Sequence, residues 1–127
     1  MDSKNNRKIF GIFLVCLLIF SSGCYYEKIP IEPPPDPNVD VSYSQDIQTY
    51  FDAKCVGCHM TGTGVPLNLE AEVSYANLFI GNYVDTLNPE SSVLYVKISP
   101  GQSMAQYASD KDRQNTLLWI EQGAKNN

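Results

Sequence analysis

Cys55-Val56-Gly57-Cys58-His59 stands directly after residues 42–54, SYSQDIQTYFDAK, in which Ile47, Tyr50 and Phe51 fall at i, i+3 and i+4. That spacing puts three apolar or aromatic side chains on one stripe and predicts a helix running into the pentapeptide. Ser44 is its expected N-cap, with Asp46 in the first turn. Cys-x-x-Cys-His is the attachment signature of c-type haem. The two thiols add across the two haem vinyl groups as thioethers. Two intervening residues set the sulfurs one helical turn apart. The adjacent His59 then lies under the ring and offers a neutral imidazole nitrogen to iron.

The rest of the chain weighs the rival readings. It contains four Cys and one His. A structural zinc site wants four N or S ligands, and this cluster supplies three. A thioredoxin-like dithiol expects a βαβ context, which is not visible. A plain disulfide between Cys55 and Cys58 is the remaining competitor.

Export is legible at the N-terminus. Lys4, Arg7 and Lys8 precede a twelve-residue apolar run, IFGIFLVCLLIF at 9–20. A spanning helix needs roughly 20 residues, so this run has signal-peptide proportions. Ser21-Ser22-Gly23-Cys24 follows, close to a lipobox, with Ser21 where Leu is commoner. Residues 1–23 therefore read as a lipoprotein signal peptide and Cys24 as the lipidated first residue of the mature chain. An ordinary signal leaving Cys24 free is the alternative. Export and haem attachment support each other, because bacterial c-type haem is joined to protein outside the cytoplasmic membrane. The localisation implied is the bacterial cell envelope, extracytoplasmic and lipid-anchored. Tyr25, standing where Asp often signals inner-membrane retention, leans toward the outer membrane.

The whole chain carries nine basic and fourteen acidic side chains, a net charge of −5. Loss of residues 1–23 removes three bases and one acid, leaving −7. That balance argues against nucleic acid and against electrostatic attachment to anionic lipid. It favours a redox partner with a basic docking surface. Acidity that only confers solubility is the equal alternative. Residues 25–40 hold five prolines in sixteen positions, which excludes a helix or central strand. With Cys24 they read as a stiff tether, at about 3.1 Å per residue able to reach on the order of 50 Å. An arm lying on the domain surface is the competing reading.

Residues 41–127 are left as the folded domain, small for a core of side chains alone. Its pattern is helical. TGTGV at 61–65 breaks the first helix, and a short helix is expected around 70–78. Asn88-Pro89-Glu90 reads as a helix start with Asn88 as cap. It leads into SSVLYVKI at 91–98, for which strand is the rival. Ser109-Asp110-Lys111-Asp112 resembles a capping box with Asp for the usual Glu. It opens a last helix carrying Leu117, Leu118, Trp119 and Ile120, closed by Gly123. The fold class expected is all-α, with three to five helices packed around one covalent haem.

The sixth iron position decides between electron carrier and open haem. His59 is the only His, so a second imidazole is excluded. Met1 leaves with the signal, and Met60 is tied to the proximal side. Met104, forty-five residues after His59 in a non-helical stretch, is the remaining thioether. Its competing role is a filler of surface or core. The carbonyl of Pro66 is the candidate acceptor for the other His59 nitrogen. Tyr107 and Trp119 are candidate haem-edge or propionate contacts, with core packing the favoured role for Trp119.

Residues 42–60, LNPESSVLYVKI and TLLWIEQGAKNN together resemble a small class I-type cytochrome c of the membrane-anchored lipoprotein kind. The resemblance implies three or more helices around haem, His/Met ligation and electron transfer, with Cys55, Cys58 and His59 carried over directly. Met104 is followed by Ala105-Gln106-Tyr107-Ala108, where related chains often show Pro or a Gly-rich turn. The function expected is therefore electron transfer by one haem c, not an enzyme and without a small-molecule substrate. A five-coordinate haem sensor or peroxidase-like protein, and a haem-carrying accessory subunit of a larger oxidoreductase, are the alternatives.

Overall fold

The computed structural model describes residues 33–127. The export segment, Cys24 and the tether as far as residue 32 lie outside the described residues. No helix among the described residues is long and apolar enough to cross a membrane.

The first helical element begins as a π-helical turn, Tyr43–Ile47, continuous with helix α1, Gln48–Lys54. Its cap is Ser42 and not the expected Ser44. The Ser42 hydroxyl accepts from the Gln45 amide, and the Asp46 carboxylate accepts from the Ser42 amide at 2.9 Å. The wider π turn lengthens the element upstream and carries the cap with it. The Ser44 amide donates instead to the Asn127 carbonyl at 2.9 Å, and the Tyr43 amide to Asn127 Oδ1 at 2.8 Å. The C-terminal residue thus satisfies N–H groups that a helix start leaves orphaned.

Three further helices follow: α2, Ser74–Ile80; α3, Val93–Ile98; and α4, Asp110–Glu121. Short 3₁₀ turns at Pro89–Ser91 and Ala105–Tyr107 precede α3 and α4. No strand occurs among the described residues, so the domain is all-α as expected, and the β-branched run at 93–98 is helical. α2 starts later than the sequence suggests. The Asn68 side chain takes the Glu70 amide at 2.8 Å, a local bond that competes with helix. Asn88 stands at the N-cap of the Pro89–Ser91 turn, with Pro89 at the first position as expected, but its side chain makes no capping bond. Its amide and side chain both donate to the Asp85 carboxylate at 3.1 Å.

α4 carries the capping box read from its sequence, Ser109 and Asp112 each accepting from the other's amide. Its end is a Schellman motif. The Ala124 amide donates to Trp119 O and the Gly123 amide to Ile120 O, with Gly123 at φ +92°. That left-handed conformation is why Gly closes this helix.

An aromatic cluster sits at the centre of a core that also buries Ile47, Leu69, Leu78, Leu94 and Ile120. Trp119 and Phe51 are fully buried. The Tyr43 ring lies 5.3 Å from Trp119, 5.0 Å from Tyr75 and 6.5 Å from Phe51. A buried polar chain runs beside it. Tyr43 donates to Ser74 at 2.7 Å, Ser74 to Gln48 Oε1, and Gln48 Nε2 to Leu69 O at 3.0 Å. It ties the first helical element to α2 and to the loop between them. The end of the Pro-rich segment turns at 36–39, where the Val39 amide donates to Asp36 O. Gln122 then brackets it, donating to Val39 O and accepting from the Val41 amide. The chain is thus hydrogen-bonded to the C-terminal end of α4 from Val39 onward.

Two substitutions separate local from tertiary stability. Ser109→Ala loses one cap, about 1 kcal/mol. Trp119→Ala opens the aromatic core, about 3–5 kcal/mol, a large share of the ~5–15 kcal/mol typical of a domain. Urea unfolding should show both as lower midpoints with unchanged slope.

Candidate functional site

α1 ends at Lys54, but its hydrogen bonding does not stop there. The Cys55 and Val56 amides donate to Phe51 O at 2.8 and 3.0 Å. The Cys58 and His59 amides donate to Cys55 O at 3.1 and 2.9 Å. Residues 55–59 form one more turn, which sets the two sulfurs three residues apart on adjacent turns of one surface. Both cysteines are free thiols, Cys55 half-buried and Cys58 exposed. Burial pushes the Cys55 thiol above its ordinary pKa, partly offset by the Tyr50 phenol beside it.

The His59 ring is held by Leu67, whose carbonyl lies 2.9 Å from Nδ1. A carbonyl only accepts, so Nδ1 carries the proton and Nε2 keeps its lone pair. The expected acceptor was Pro66, one residue earlier. The Leu69 amide also donates to the His59 carbonyl at 2.8 Å, and Leu67 and Leu69 are both buried. Those anchors set the register of the loop at Leu67.

Glu70 closes this loop from outside. Its Oε2 accepts from the Thr61 hydroxyl at 2.7 Å, the Thr61 amide at 3.0 Å and the Asn68 side chain at 2.8 Å. The Thr61 bonds, with Asn68 adding to them, hold the Glu70 carboxyl below its ordinary value.

A cleft of about 410 Å³ opens between these elements, a size typical of small-molecule and cofactor sites, roughly 300–1,000 Å³. Cys55, Cys58 and His59 line it together with Tyr50 and Phe51 of α1. Val93, Leu94 and Ile98 contribute from α3, and Pro66 and Leu67 from the loop. Met104 and Tyr107 line it from the segment before α4. The lining is predominantly apolar, and Lys54 and Lys97 are its only charged side chains. Met104 is half-buried, and its amide donates to Lys97 O at 3.0 Å. Met60 is exposed and lies off the cleft.

Trp119 does not line the cleft. It packs against Tyr43 and Tyr75, and its indole N–H donates to Lys125 O at 2.9 Å. Of the two roles read for Trp119, the structure gives it the favoured one, core packing, and not a cofactor contact. The register of α4 directs it at the N-terminal aromatic residues.

Two residues of this region escape a reading of the sequence. Tyr50 is legible only as part of an apolar stripe. Its hydroxyl is the one buried side-chain polar atom without a hydrogen-bond partner among the described residues. Burial and the neighbouring Cys55 hold its phenol well above the ordinary range, although Cys55 makes no hydrogen bond of ordinary geometry to it. An unpaired buried hydroxyl costs ~1–3 kcal/mol, which a ligand acceptor in the cleft would relieve. The second residue is Arg113, whose guanidinium reaches the segment carrying Met104.

Among the described residues no group of three or more His, Cys, Asp or Glu side chains converges as a metal site. Comparison of the chain with family models, curated proteins and solved structures found no match.

Loop closure by Glu70 has a pH signature. The folded carboxyl titrates below its unfolded value, near 4.5. Its stabilising contribution is complete above that value and lost as pH falls through the lower, folded one. Urea midpoints of the protein and of Glu70→Gln should therefore differ by a constant amount above pH 4.5. The difference should shrink on further acidification. A gap that is independent of pH would remove Glu70 from loop closure.

Proposed function

We propose that the protein is an electron carrier, a lipid-anchored domain holding one haem c with His59 and Met104 as axial ligands. The observation that carries this reading is the convergence of Cys55, Cys58, His59 and Met104 on one apolar cleft. When bound, the group supplies a one-electron ferric–ferrous couple. The remaining work falls to the chain.

Cys55 and Cys58 anchor the group. With the group bound, each thiol would be joined to one vinyl as a thioether, its hydrogen passing to the neighbouring vinyl carbon, so that no oxidant would be needed. His59 presents Nε2 as a neutral donor because Leu67 holds the proton on Nδ1. Such a bond orients the ring and raises its basicity. The soft thioether of Met104 favours the reduced state and a higher potential than a second imidazole. Apolar side chains from α1 and α3 line the cleft, and such a hydrophobic shell would tune the potential further. Tyr107 is half-exposed at the cleft and marks an edge for electron exchange. The acidic mature chain suits a partner with a basic docking surface, and the lipid at Cys24 keeps the domain on an extracytoplasmic membrane face.

The decisive measurement is an absorption spectrum of the matured protein, oxidised and reduced. A low-spin ferrous spectrum unchanged by carbon monoxide is expected. So is a long-wavelength Met–iron charge-transfer band that disappears in Met104→Ala. A high-spin spectrum that shifts with carbon monoxide would move the protein to the sensor or peroxidase-like class. Separately, Cys24→Ser should abolish labelling by radioactive palmitate and release the domain from membranes.

A further inference from the structure

We infer that Arg113 is a positioning residue for the distal ligand, clamping the α3–α4 connection so that Met104 stays at the cleft. This rests on the electron-carrier reading for what Met104 binds; the clamp itself rests on geometry alone.

Residues 99–109 leave α3 and return to α4 with Met104 between. Arg113, on the first turn of α4, reaches both feet of this connection. Its Nη1 donates to Ala108 O at 2.6 Å and lies 3.4 Å from Ile98 O and from Ala105 O. Ile98 is the last residue of α3. Ala105 opens the 3₁₀ turn that Met104 caps, and Ala108 ends it. Nη2 pairs with Asp110 on the same helix. One guanidinium thus gathers the carbonyls at which the connection begins and ends.

Burial gives the clamp its strength. The Arg113 side chain is 17% exposed, against 83% for Asp110. A guanidinium does not deprotonate in proteins, so when buried it must keep its partners. Hydrogen bonds to charged groups contribute more than neutral ones. The other backbone ties of residues 99–104 are short-range: Ser99 amide to Val96 O, Gln102 amide to Ser99 O, Met104 amide to Lys97 O, Ala105 amide to Gln102 O and Tyr107 amide to Met104 O. Gly101, at φ +80°, turns the chain between them. None of these bonds reaches α4. Arg113 therefore links α4 to the segment that carries Met104.

The functional consequence follows from population arithmetic. A ligand on a segment that visits the cleft only part of the time binds with an affinity reduced by that fraction. Holding the segment closed favours Met104 over an exogenous ligand, with no contact between Arg113 and iron.

The test is a double-mutant cycle in the full-length, haem-loaded protein, using imidazole as the competing ligand for ferric iron. Arg113→Met should lower the imidazole midpoint on the order of tenfold and weaken the Met–iron charge-transfer band. Arg113→Lys, which keeps the charge on a single donor nitrogen but loses the planar fork, should fall between. In a Met104→Ala background, Arg113→Met should leave imidazole binding unchanged. Equal shifts with and without Met104 would make Arg113 a stabiliser of the fold only and overturn the inference. If Arg113→Met does not accumulate, an Arg113→Lys midpoint equal to that of the unmodified protein overturns it as well. A starting protein that lacks the band and is indifferent to Met104→Ala defeats both this inference and the electron-carrier reading. Loss of the clamp effect alone defeats only the former.

Discussion

The contact between Tyr43 and Trp119, rings 5.3 Å apart, is the constraint on which the domain depends. It joins the first helical element to the last. Around it Phe51 and the partly buried Tyr75 complete an aromatic centre, set among the aliphatic core residues Ile47, Leu78 and Ile120. Aromatic residues suit this task because each buries a large area and still offers a polar tip. Tyr43 uses its hydroxyl to enter the Ser74–Gln48 chain, and Tyr75 uses its own to hold Ala124 O at 2.9 Å. The Schellman motif at Ala124 and the bonds from Asn127 to the Tyr43 and Ser44 amides then close the two ends of the domain on each other.

That closure orients α1, and α1 orients the cleft. Its stripe serves two purposes. Ile47 and Phe51 are fully in the core, while Tyr50 and Phe51 reach the cleft wall. The motif at 55–59 is a continuation of α1, so the direction of the sulfurs is inherited from a helix fixed by the aromatic core. The opposite half of the site has no such support. Met104 sits on an irregular segment whose connection to the rest of the domain depends on the backbone bond to Lys97 and on Arg113. On the proposed electron-carrier reading, a rigid anchoring side and a clamped opposite side would keep both ligands in place and minimise rearrangement between redox states.

Sequence reading succeeded where the determinant is local. The capping box at Ser109 and Asp112, the closing Gly123 and the apolar stripe at Ile47, Tyr50 and Phe51 depend on neighbours within one or two turns. It missed by small steps where distant chain takes part. The first cap moved from Ser44 to Ser42 because a π turn lengthened the helix and Asn127 took the Ser44 amide. The acceptor for His59 moved from Pro66 to Leu67 because Leu69 pairs with the His59 carbonyl. Asn88 keeps its N-cap position, but its side chain donates to the Asp85 carboxylate three residues away instead of capping. Tyr50 and Arg113 could not be singled out at all. A tyrosine in an apolar stripe and an arginine in a first helical turn look ordinary until their surroundings are known.

By itself, the sequence determined the all-α class, the spacing of Cys55, Cys58 and His59, and the chemistry that such a triplet can perform. Those properties follow from helical period and side-chain type, which need no partner from elsewhere. Only the tertiary structure decided that Met104 and Tyr107 share a cleft with the motif while Trp119 does not. It alone decided which carbonyl holds His59 and which guanidinium holds the Met104 segment. These choices turn on packing between α1, α3 and α4. Packing compares whole surfaces at once, and a shift of one residue in register exchanges a core side chain for one at the site.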